Sequence, residues 1–367
     1  LNVVDSFILG EKWPNKISPA GIEIDEARNL LYVVTKDNNS IYLFDLNTKK
    51  IKGIYPLKGE AYTCLLSPDK NTLYVSCWGC DQVVLFDTKG LKIKAEIPVG
   101  DNPNELCLNK TGSLLYVTNA NDNSVSVINT NKNTVIETLI SSLYPDAPQG
   151  STSNGLALSA DEKTLLIANA DNNSLAVFDV SQPGFSKSKG FIPVGWYPTC
   201  VRVVGKKIWV TNGKGFSSFA NPDGPNPNKK KQKVNYQSAE KEKEVQYIGG
   251  LFKGSMSIID MPSEKQLGMY AQQVYKNTPY TKEKELLSKG EVGNPIPQKI
   301  GDPSPIKHVF YIVKENRTYA PDRSHRPYLF LPPCPPRRKV PKRPPSAPPG
   351  SAGIRTRTSS TTSRNPR

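Results

Sequence analysis

Residues 115–130 read L-Y-V-T-N-A-N-D-N-S-V-S-V-I-N-T. An apolar and partly β-branched run opens this stretch, and a cluster of small polar turn-forming residues follows it. Val125 and Val127 then alternate with polar residues, which is the period of a half-buried strand. The stretch therefore predicts a β-hairpin with a polar tip.

The hairpin pattern is repeated along the chain. Copies occupy residues 31–45, 73–87 and 165–179, and in each copy an Asp closes the pattern 14 positions after the first Leu. A fifth copy opens at Ile208 and ends at Asp260, with an insertion at residues 216–249. A period of about 40–45 residues that is built from strands is typical of propeller blades.

Each repeat extends to four strands. A short apolar strand precedes the hairpin, and a more polar strand follows it. In the fifth repeat, residues 266–275 are expected to form this last strand. Because a single unit cannot bury both of its faces, the units are expected to stack around an axis. The predicted fold class is an all-β propeller of four-stranded blades, of which five are present as part of an expected seven, followed by a truncated α/β start and a disordered C-terminal tail.

These repeats resemble the YVTN-type β-propeller repeat family over residues 1–275. Residues 3–10 align with residues 93–100, the fourth strand of a blade, so the propeller is expected to be incomplete at its N-terminus. No apolar run approaches the roughly 18 residues that a membrane-spanning helix needs. The resemblance implies a bacterial periplasmic or extracellular protein, and we expect a monomer.

The formal net charge of +15 is concentrated at the C-terminus. Residues 320–367 carry 11 Lys and Arg against one Asp, so the preceding residues are only mildly basic. A nucleic-acid surface requires a localised basic stripe, and the repeats contain none. We therefore expect no nucleic-acid partner.

The loops between blades and the hairpin tips are expected at the same mouth of the central channel. An unknown ligand or protein partner is expected there. The candidate binding residues are Asn15, Tyr62, Asn104, Asn154, Trp196 and Tyr197. The alternative is that these side chains only complete turns and pack at loop ends. The insertion at residues 216–249 belongs to the same mouth, either as a solvated loop or as a lid.

The segment after the repeats has a different character. Residues 276–305 predict a linker, and residues 306–313 are an apolar run that favours a buried strand. Residues 306–319 resemble the opening of the phosphoesterase domain of the phospholipase C and acid phosphatase family, within the alkaline-phosphatase-like superfamily. By this resemblance Glu315 and Asn316 form part of a site for a divalent metal in an intact parent protein.

The resemblance stops at Ala320, and the nucleophile and the remaining metal ligands of that family have no counterpart here. We therefore expect no bound cofactor and no phosphatase turnover from this chain. Residues 320–367 contain 12 Pro and show no hydrophobic periodicity, so this tail is expected to be disordered or the product of a shifted reading frame.

Two further patterns bear on chemistry. Cys77 and Cys80 form a C-x-x-C pair, but no second pair accompanies them, so they are interpreted as hairpin-tip residues that could form a disulfide in an oxidising compartment. The chain has only two His residues, His308 and His325, which argues against Ser-His-Asp catalysis in the repeats.

Two functions remain open on this sequence. In the leading interpretation, the propeller is the binding or scaffold module of a two-domain phosphoesterase, a hydrolase acting on ester bonds whose catalytic domain is truncated. The alternative is a lactonase-like propeller enzyme, or a non-catalytic interaction propeller. The first strands offer mainly Glu23 and Glu105 as channel carboxylates, and this favours the scaffold interpretation.

Overall fold

The computed structural model describes residues 2–3, 6–10, 17–215, 224, 233–235, 244–278, 293–297 and 301–310. Residues 1–289 and 290–367 form two separate units. Among the described residues of the second unit no helix or strand is present. Residues 306–310, where a buried strand was expected to begin, are exposed, and residues 311–319 lie outside the described part of the chain.

In the first unit each sequence repeat forms one antiparallel sheet, and the sheets succeed one another in chain order. Blade one comprises β1 Ser18–Asp25, β2 Leu30–Lys36, β3 Ser40–Asp45 and β4 Lys50–Pro56. Blade two comprises β5 Ala61–Leu66, β6 Thr72–Cys77, β7 Gln82–Asp87 and β8 Lys92–Pro98. Blade three comprises β9 Pro103–Leu108, β10 Leu114–Asn119, β11 Ser124–Asn129 and β12 Thr134–Ile140. Blade four comprises β13 Ser153–Leu158, β14 Thr164–Asn169, β15 Ser174–Asp179 and β16 Lys187–Pro193.

Blade five has three strands, β17 Trp196–Val204, β18 Lys207–Gly215 and β21 Ser255–Asp260. Within its insertion, β19 Lys233–Asn235 and β20 Glu244–Gln246 form a separate parallel pair. Within the described part of the chain, three short 3-10 segments lie in the loops, at Trp78–Cys80, Ala170–Asn172 and Ile248–Leu251. The predicted hairpin of residues 115–130 is confirmed, with Tyr116 opposite Val127 and Asn119 opposite Ser124.

The apolar core lies between successive sheets. Tyr32 and Ile41 of blade one pack with Leu73 and Phe86 of blade two. Equivalent clusters lie between blades two and three, three and four, and four and five. The innermost strands are also neighbours, since β1 contacts β5, β5 contacts β9, β9 contacts β13 and β13 contacts β17. This arrangement confirms the propeller of radially stacked blades.

The innermost strands approach one another closely. A Cβ atom added at Gly21 of β1 would lie 2.6 Å from Cα of Thr63 on β5. Only glycine leaves room for backbone contact at that separation. The lack of a side chain at Gly21 therefore determines how tightly blades one and two meet at the axis.

The outer faces of the first and last blades differ from the inner ones. Ile22 pairs with Val33 on the face of blade one that is turned away from blade two, and Ile22 is exposed. Ile258 is likewise exposed on the face of blade five turned away from blade four. On the outer face of blade one, Tyr42 and Phe44 are nevertheless buried, with Leu9 and Ile17 packed against them.

The end of blade five departs from the sequence-based prediction. Residues 266–275 were expected to form a fourth strand, but they lie in helix α1, Glu264–Asn277. Ser263 begins the helix with a capping box to Gln266, and the buried Leu267 and Val274 lie seven residues apart on one helical face. The prediction was wrong because it extended the repeat over a segment whose apolar residues follow a helical period.

Helix α1 packs against β16 of blade four. Ala271 and Leu267 lie 3.4 Å and 3.6 Å from the position that a Cβ at Gly190 would occupy. At the other end of the unit, the described residues 6–10 form no strand, although they were aligned with a fourth strand. Phe7 instead packs edge-on against Phe44, with 5.7 Å between ring centroids.

Candidate functional site

The hairpin tips and the loops that precede the innermost strands meet at one end of the propeller. The backbone N–H of Ala120, at the tip of blade three, donates to the carbonyl of Asn102 at 3.1 Å. The N–H of Ala170 donates in the same way to Thr152 in blade four, at 3.0 Å. These bonds hold the hairpin tips against the loops that precede the innermost strands. We call this edge of the propeller the rim, and the sequence predicts it at one mouth of the channel.

An ion pair joins the innermost strands of blades three and five. Nη2 of Arg202, on β17, lies 3.1 Å from Oε1 of Glu105, on β9. The side chain of Glu105 is 25% exposed and that of Arg202 is 57% exposed, so a solute can reach the pair. Burial raises the pKa of the Glu105 carboxyl above its usual range, and the charge of Arg202 opposes this effect.

The charge of Glu105 acts on Tyr62, and Tyr62 in turn interacts electrostatically with Tyr197. Burial raises the pKa of the Tyr62 hydroxyl, and the negative charge of Glu105 and the nearby Tyr197 add to that shift. Tyr62 belongs to β5 and Tyr197 to β17, so side chains from blades two, three and five share this region. We call Tyr62, Glu105, Tyr197 and Arg202 the channel cluster.

Lysines cover the aromatic faces of the rim. Nζ of Lys36 lies 5.0 Å from the centroid of the Tyr62 ring and 5.8 Å from that of Trp78. Nζ of Lys214 lies 4.3 Å from the Tyr197 ring centroid. Both arrangements fall within the range of cation–π attraction. The rim therefore places positive charge over the rings of Tyr62 and Tyr197.

Asn104 and Asn154 form a further polar pair beside the cluster. Nδ2 of Asn104 donates to Oδ1 of Asn154 at 3.0 Å. Asn104 is only 4% exposed, and its Oδ1 atom has no hydrogen-bond partner among the described residues. A buried and unsatisfied amide oxygen is uncommon, and it offers an acceptor for a water molecule or a ligand hydroxyl. The structure thus brings these two sequence candidates together.

Trp196 and Tyr197 occupy different surroundings. Trp196 lines a cleft of about 230 Å³ with Asn172 and Asn277. Tyr197 has a left-handed backbone, with φ of 63°, and its N–H donates to Oδ1 of Asn173 at 2.9 Å. Such a conformation is unusual for a bulky residue, and strained backbone is frequent at functional sites.

The remaining sequence candidates are not placed in this site. Asn15, Glu315 and Asn316 lie outside the described residues. Glu23 is on β1, where burial raises its pKa and its other influences are the Leu66 backbone and Lys70, so it is not joined to Glu105. Among the described residues, no cluster of three or more His, Cys, Asp or Glu side chains could hold a metal ion.

Sequence reasoning missed the cationic partners of the site. Arg202 was not a candidate, although it is one of only three arginines in residues 1–319. The rarity of arginine in a lysine-rich chain was the signal that could have identified Arg202. Lys36 and Lys214 carried no signal, because lysine is common throughout the repeats.

Several comparisons bear on this arrangement. The family model described as "Lactonase, 7-bladed beta-propeller" matches residues 58–198, which is less than half of the chain. No curated protein sequence matches the chain. Within the described residues, no helix is long and apolar enough to cross a membrane.

Several solved structures are similar to the chain at low sequence identity. The periplasmic gluconolactonase of Pseudomonas aeruginosa is 20% identical, with a TM-score of 0.48, over 54% of this chain and 64% of that one. A putative 6-phosphogluconolactonase of Bacteroides fragilis is 18% identical, with a TM-score of 0.46, over 52% of this chain and 62% of that one. The hydrazine synthase of Kuenenia stuttgartiensis is 20% identical, with a TM-score of 0.45, over 59% of this chain and 63% of that one. The chain thus spans less than two thirds of each of these proteins.

The matched segment and the channel cluster overlap. Residues 58–198 contain Tyr62, Glu105 and Tyr197, together with the Asn104–Asn154 pair, while Arg202 follows directly after the match. The family match gives no support to a phosphoesterase domain at residues 306–319, so that assignment stays a prediction. Residues 58–198 are therefore similar to the seven-bladed lactonase propellers, and they carry most of the candidate site.

Proposed function

We propose that the channel cluster is a hydrolytic centre that opens small lactones. The Glu105–Arg202 ion pair is the observation that carries this proposal, because it places a carboxylate and a cation together on two innermost strands, with both side chains partly exposed. The similarity of residues 58–198 to lactonase propellers supports the same reaction class. This reading replaces the phosphoesterase scaffold as the leading function.

Glu105 is suited to act as a general base. A carboxylate with a raised pKa accepts a proton from water more readily than an ordinary glutamate does. In the proposed reaction the ionised Glu105 takes a proton from a water molecule, whose oxygen attacks the lactone carbonyl. The resulting tetrahedral intermediate breaks the ring C–O bond. Glu105 returns its proton to the departing alkoxide, and the product is a hydroxy acid.

Arg202 is suited to stabilise the negative charge that forms on the carbonyl oxygen. A guanidinium beside the reacting carbonyl stabilises an oxyanion more than it stabilises the neutral ester. The charge of Arg202 also favours the ionised form of Glu105 and so opposes the effect of burial on its pKa. Lys36, held by its contacts with Tyr62 and Trp78, places a second cation at the rim.

The test is hydrolysis of δ-gluconolactone and γ-butyrolactone by the purified full chain, followed by proton release in a pH-stat above the spontaneous rate. Glu105→Gln is expected to lower kcat/KM by about 10²–10⁴-fold, the usual contribution of a general base. Glu23→Gln is the matched control, because Glu23 is also a half-buried carboxyl with a raised pKa on an innermost strand. Equal losses in both variants, or no turnover above the spontaneous rate, would reject the proposal.

A further inference from the structure

The hairpin tip of blade two differs chemically from the tips of blades three and four. In blade three, Oδ2 of Asp122 accepts a hydrogen bond at 2.6 Å from the N–H of Asp101, in the loop that leads to β9. In blade four, Nδ2 of Asn172 donates at 2.9 Å to the Ser151 hydroxyl in the corresponding loop. Cys80 occupies the equivalent position in blade two. A thiol there replaces a strong polar anchor.

A second thiol replaces the other polar residue of this tip. Asn119 at the end of β10 donates from Nδ2 to the Ser124 and Ser126 hydroxyls, each at 2.9 Å. Cys77 takes this position at the end of β6 and is 0% exposed. Blade two therefore carries thiols at both tip positions where blade three uses polar side chains.

The two thiols lie against the same residue. Sγ of Cys77 donates to the Gly59 carbonyl at 3.5 Å, and a Cβ atom added at Gly59 would collide with Sγ of Cys80. Trp78–Cys80 form a 3-10 turn, in which side chains three positions apart lie on the same side. Both cysteines are thiols in this structure. The turn thus directs the two sulfur atoms toward a common region.

We propose that Cys77 and Cys80 are a thiol pair that closes reversibly to a disulfide by exchange with a low-molecular-weight disulfide. Cys80 is the partly exposed member of the pair, so its thiolate attacks the small disulfide and releases one thiol. Cys77 then loses its proton to solvent and attacks Sγ of Cys80, which releases the second thiol. The two cysteines are oxidised, and one small disulfide is reduced to two thiols.

The second step is expected to be the slow one. Burial raises the pKa of the Cys77 thiol to about 12, so its nucleophilic thiolate is scarce at neutral pH. Closure therefore requires transient opening of the tip or high pH. This predicts an exchange reaction that accelerates as the pH rises.

Formation of the Cys77–Cys80 disulfide should affect the channel mouth. Trp78 lies between the two cysteines in the sequence, and its carbonyl accepts a hydrogen bond at 3.1 Å from Nδ2 of Asn102, two residues before Asn104. Its ring also contacts Nζ of Lys36. A ring closed through Cys77 and Cys80 includes Trp78, so its fluorescence reports the reaction.

The experiment incubates the folded full chain with mixtures of reduced and oxidised glutathione, blocks remaining thiols with an alkylating reagent and maps tryptic peptides. The peptide of residues 71–89 contains both cysteines and no other. We expect it to escape alkylation and to lose the mass of two hydrogen atoms, and we expect reducing glutathione to reverse this. The change in Trp fluorescence should follow the same midpoint.

Cys77→Ser and Cys80→Ser should each abolish the internal disulfide, whereas Cys107→Ala should leave it unchanged. Circular dichroism shows that each variant is folded before the exchange. A stable glutathione adduct on Cys80 without closure would overturn the proposal. So would a peptide that stays fully alkylated under oxidising glutathione, or cysteines that link only between chains.

Discussion

Arg202 and Glu105 lie 97 residues apart in the chain, yet their side chains meet at 3.1 Å between Nη2 and Oε1. Blade four separates their blades in the sequence, and its innermost strand β13 carries Gly155. A Cβ atom at Gly155 would lie 3.2 Å from Cα of Cys200 on β17. The small residue lets blade five approach, so the arginine reaches across the intervening blade.

Replacement of Arg202 should change the titration of Glu105. Arg202→Gln removes the charge that lowers the pKa of the Glu105 carboxyl, so burial alone acts and the pKa rises further. The acidic limb of kcat/KM for lactone hydrolysis should move to higher pH, and its plateau should fall by about 10²–10³-fold, the usual effect of losing an oxyanion partner.

Arg202→Lys keeps the charge and is the matched control. In Arg202→Lys the pKa of Glu105 should stay close to that of the unmodified protein. The kcat/KM should nevertheless fall in part, because lysine lacks the planar guanidinium. NMR titration of labelled glutamate checks the pKa independently of activity. A Glu105 pKa that does not change in Arg202→Gln would contradict the assigned ion pair.

Glu105 should make the stability of the fold depend on pH in a defined direction. Because the pKa of the Glu105 carboxyl is higher in the folded state than in the unfolded state, protonation of this carboxyl stabilises the fold. This stabilisation is fully present below the ordinary glutamate pKa of 4.5, and it is lost as the pH rises through the folded-state pKa. Glu105→Gln should therefore raise the free energy of unfolding at pH 7, by less than about 1 kcal/mol, and change little below pH 4.

Glu264→Gln serves as a control of opposite sign. Lys189 lowers the pKa of the Glu264 carboxyl, so its contribution is present at neutral pH and is lost as the pH falls through the lowered folded pKa. Urea unfolding between pH 3 and pH 8 measures both variants. If Glu105→Gln destabilised the protein more at pH 7 than at pH 3, burial would not be the dominant influence on Glu105.

The close approach of blades one and two should make Gly21 intolerant of a side chain. Gly21→Ala places Cβ 2.6 Å from Cα of Thr63, and the backbone cannot yield without moving an innermost strand. We expect a loss of about 1–3 kcal/mol in the free energy of unfolding, as for other overpacked sites.

Gly268→Ala is the matched glycine substitution. Gly268 lies within helix α1, and nothing lies within 4 Å of its added Cβ. Alanine is the better helix former there, so a gain of about 0.5–1 kcal/mol is expected. Chemical denaturation measures the free energy of unfolding of both variants. An unchanged free energy of unfolding in Gly21→Ala would argue against the close contact at the axis.

Helix α1 should stabilise blade four through one face only. Leu267 is 6% exposed and belongs to the core between blades four and five. Leu267→Ala should lower the free energy of unfolding by about 2–4 kcal/mol. Met269 is 61% exposed on the same helix, and Met269→Ala should change it by less than about 0.5 kcal/mol. Similar losses in both variants would contradict the helix position.

Local sequence determined the hairpins. Within residues 115–130 the period of two and the polar tip predict the register, because each slip by one residue would turn Tyr116 and Val127 to the wrong face. The repeat then predicts radial stacking, since each sheet needs a neighbour on both faces. The same reasoning failed at residues 266–275, where a helical period replaced the strand pattern.

The site was predictable only in part. Asn104, Asn154, Tyr62 and Tyr197 were identified from their places in the loops before the innermost strands, which the repeat itself specifies. Arg202 was not identified, because its role depends on a partner on another blade. Lysines 36 and 214 were missed for the same reason.

What the sequence by itself determined is therefore the hairpin of each blade and the order of the blades, because strand period and turn residues are local properties. Only the tertiary structure decided that Glu105 faces Arg202, that Asn104 meets Asn154 and that helix α1 covers β16. These relationships depend on the angle between neighbouring blades about the axis. That angle is set by packing between two sheets, and no single repeat contains both of them.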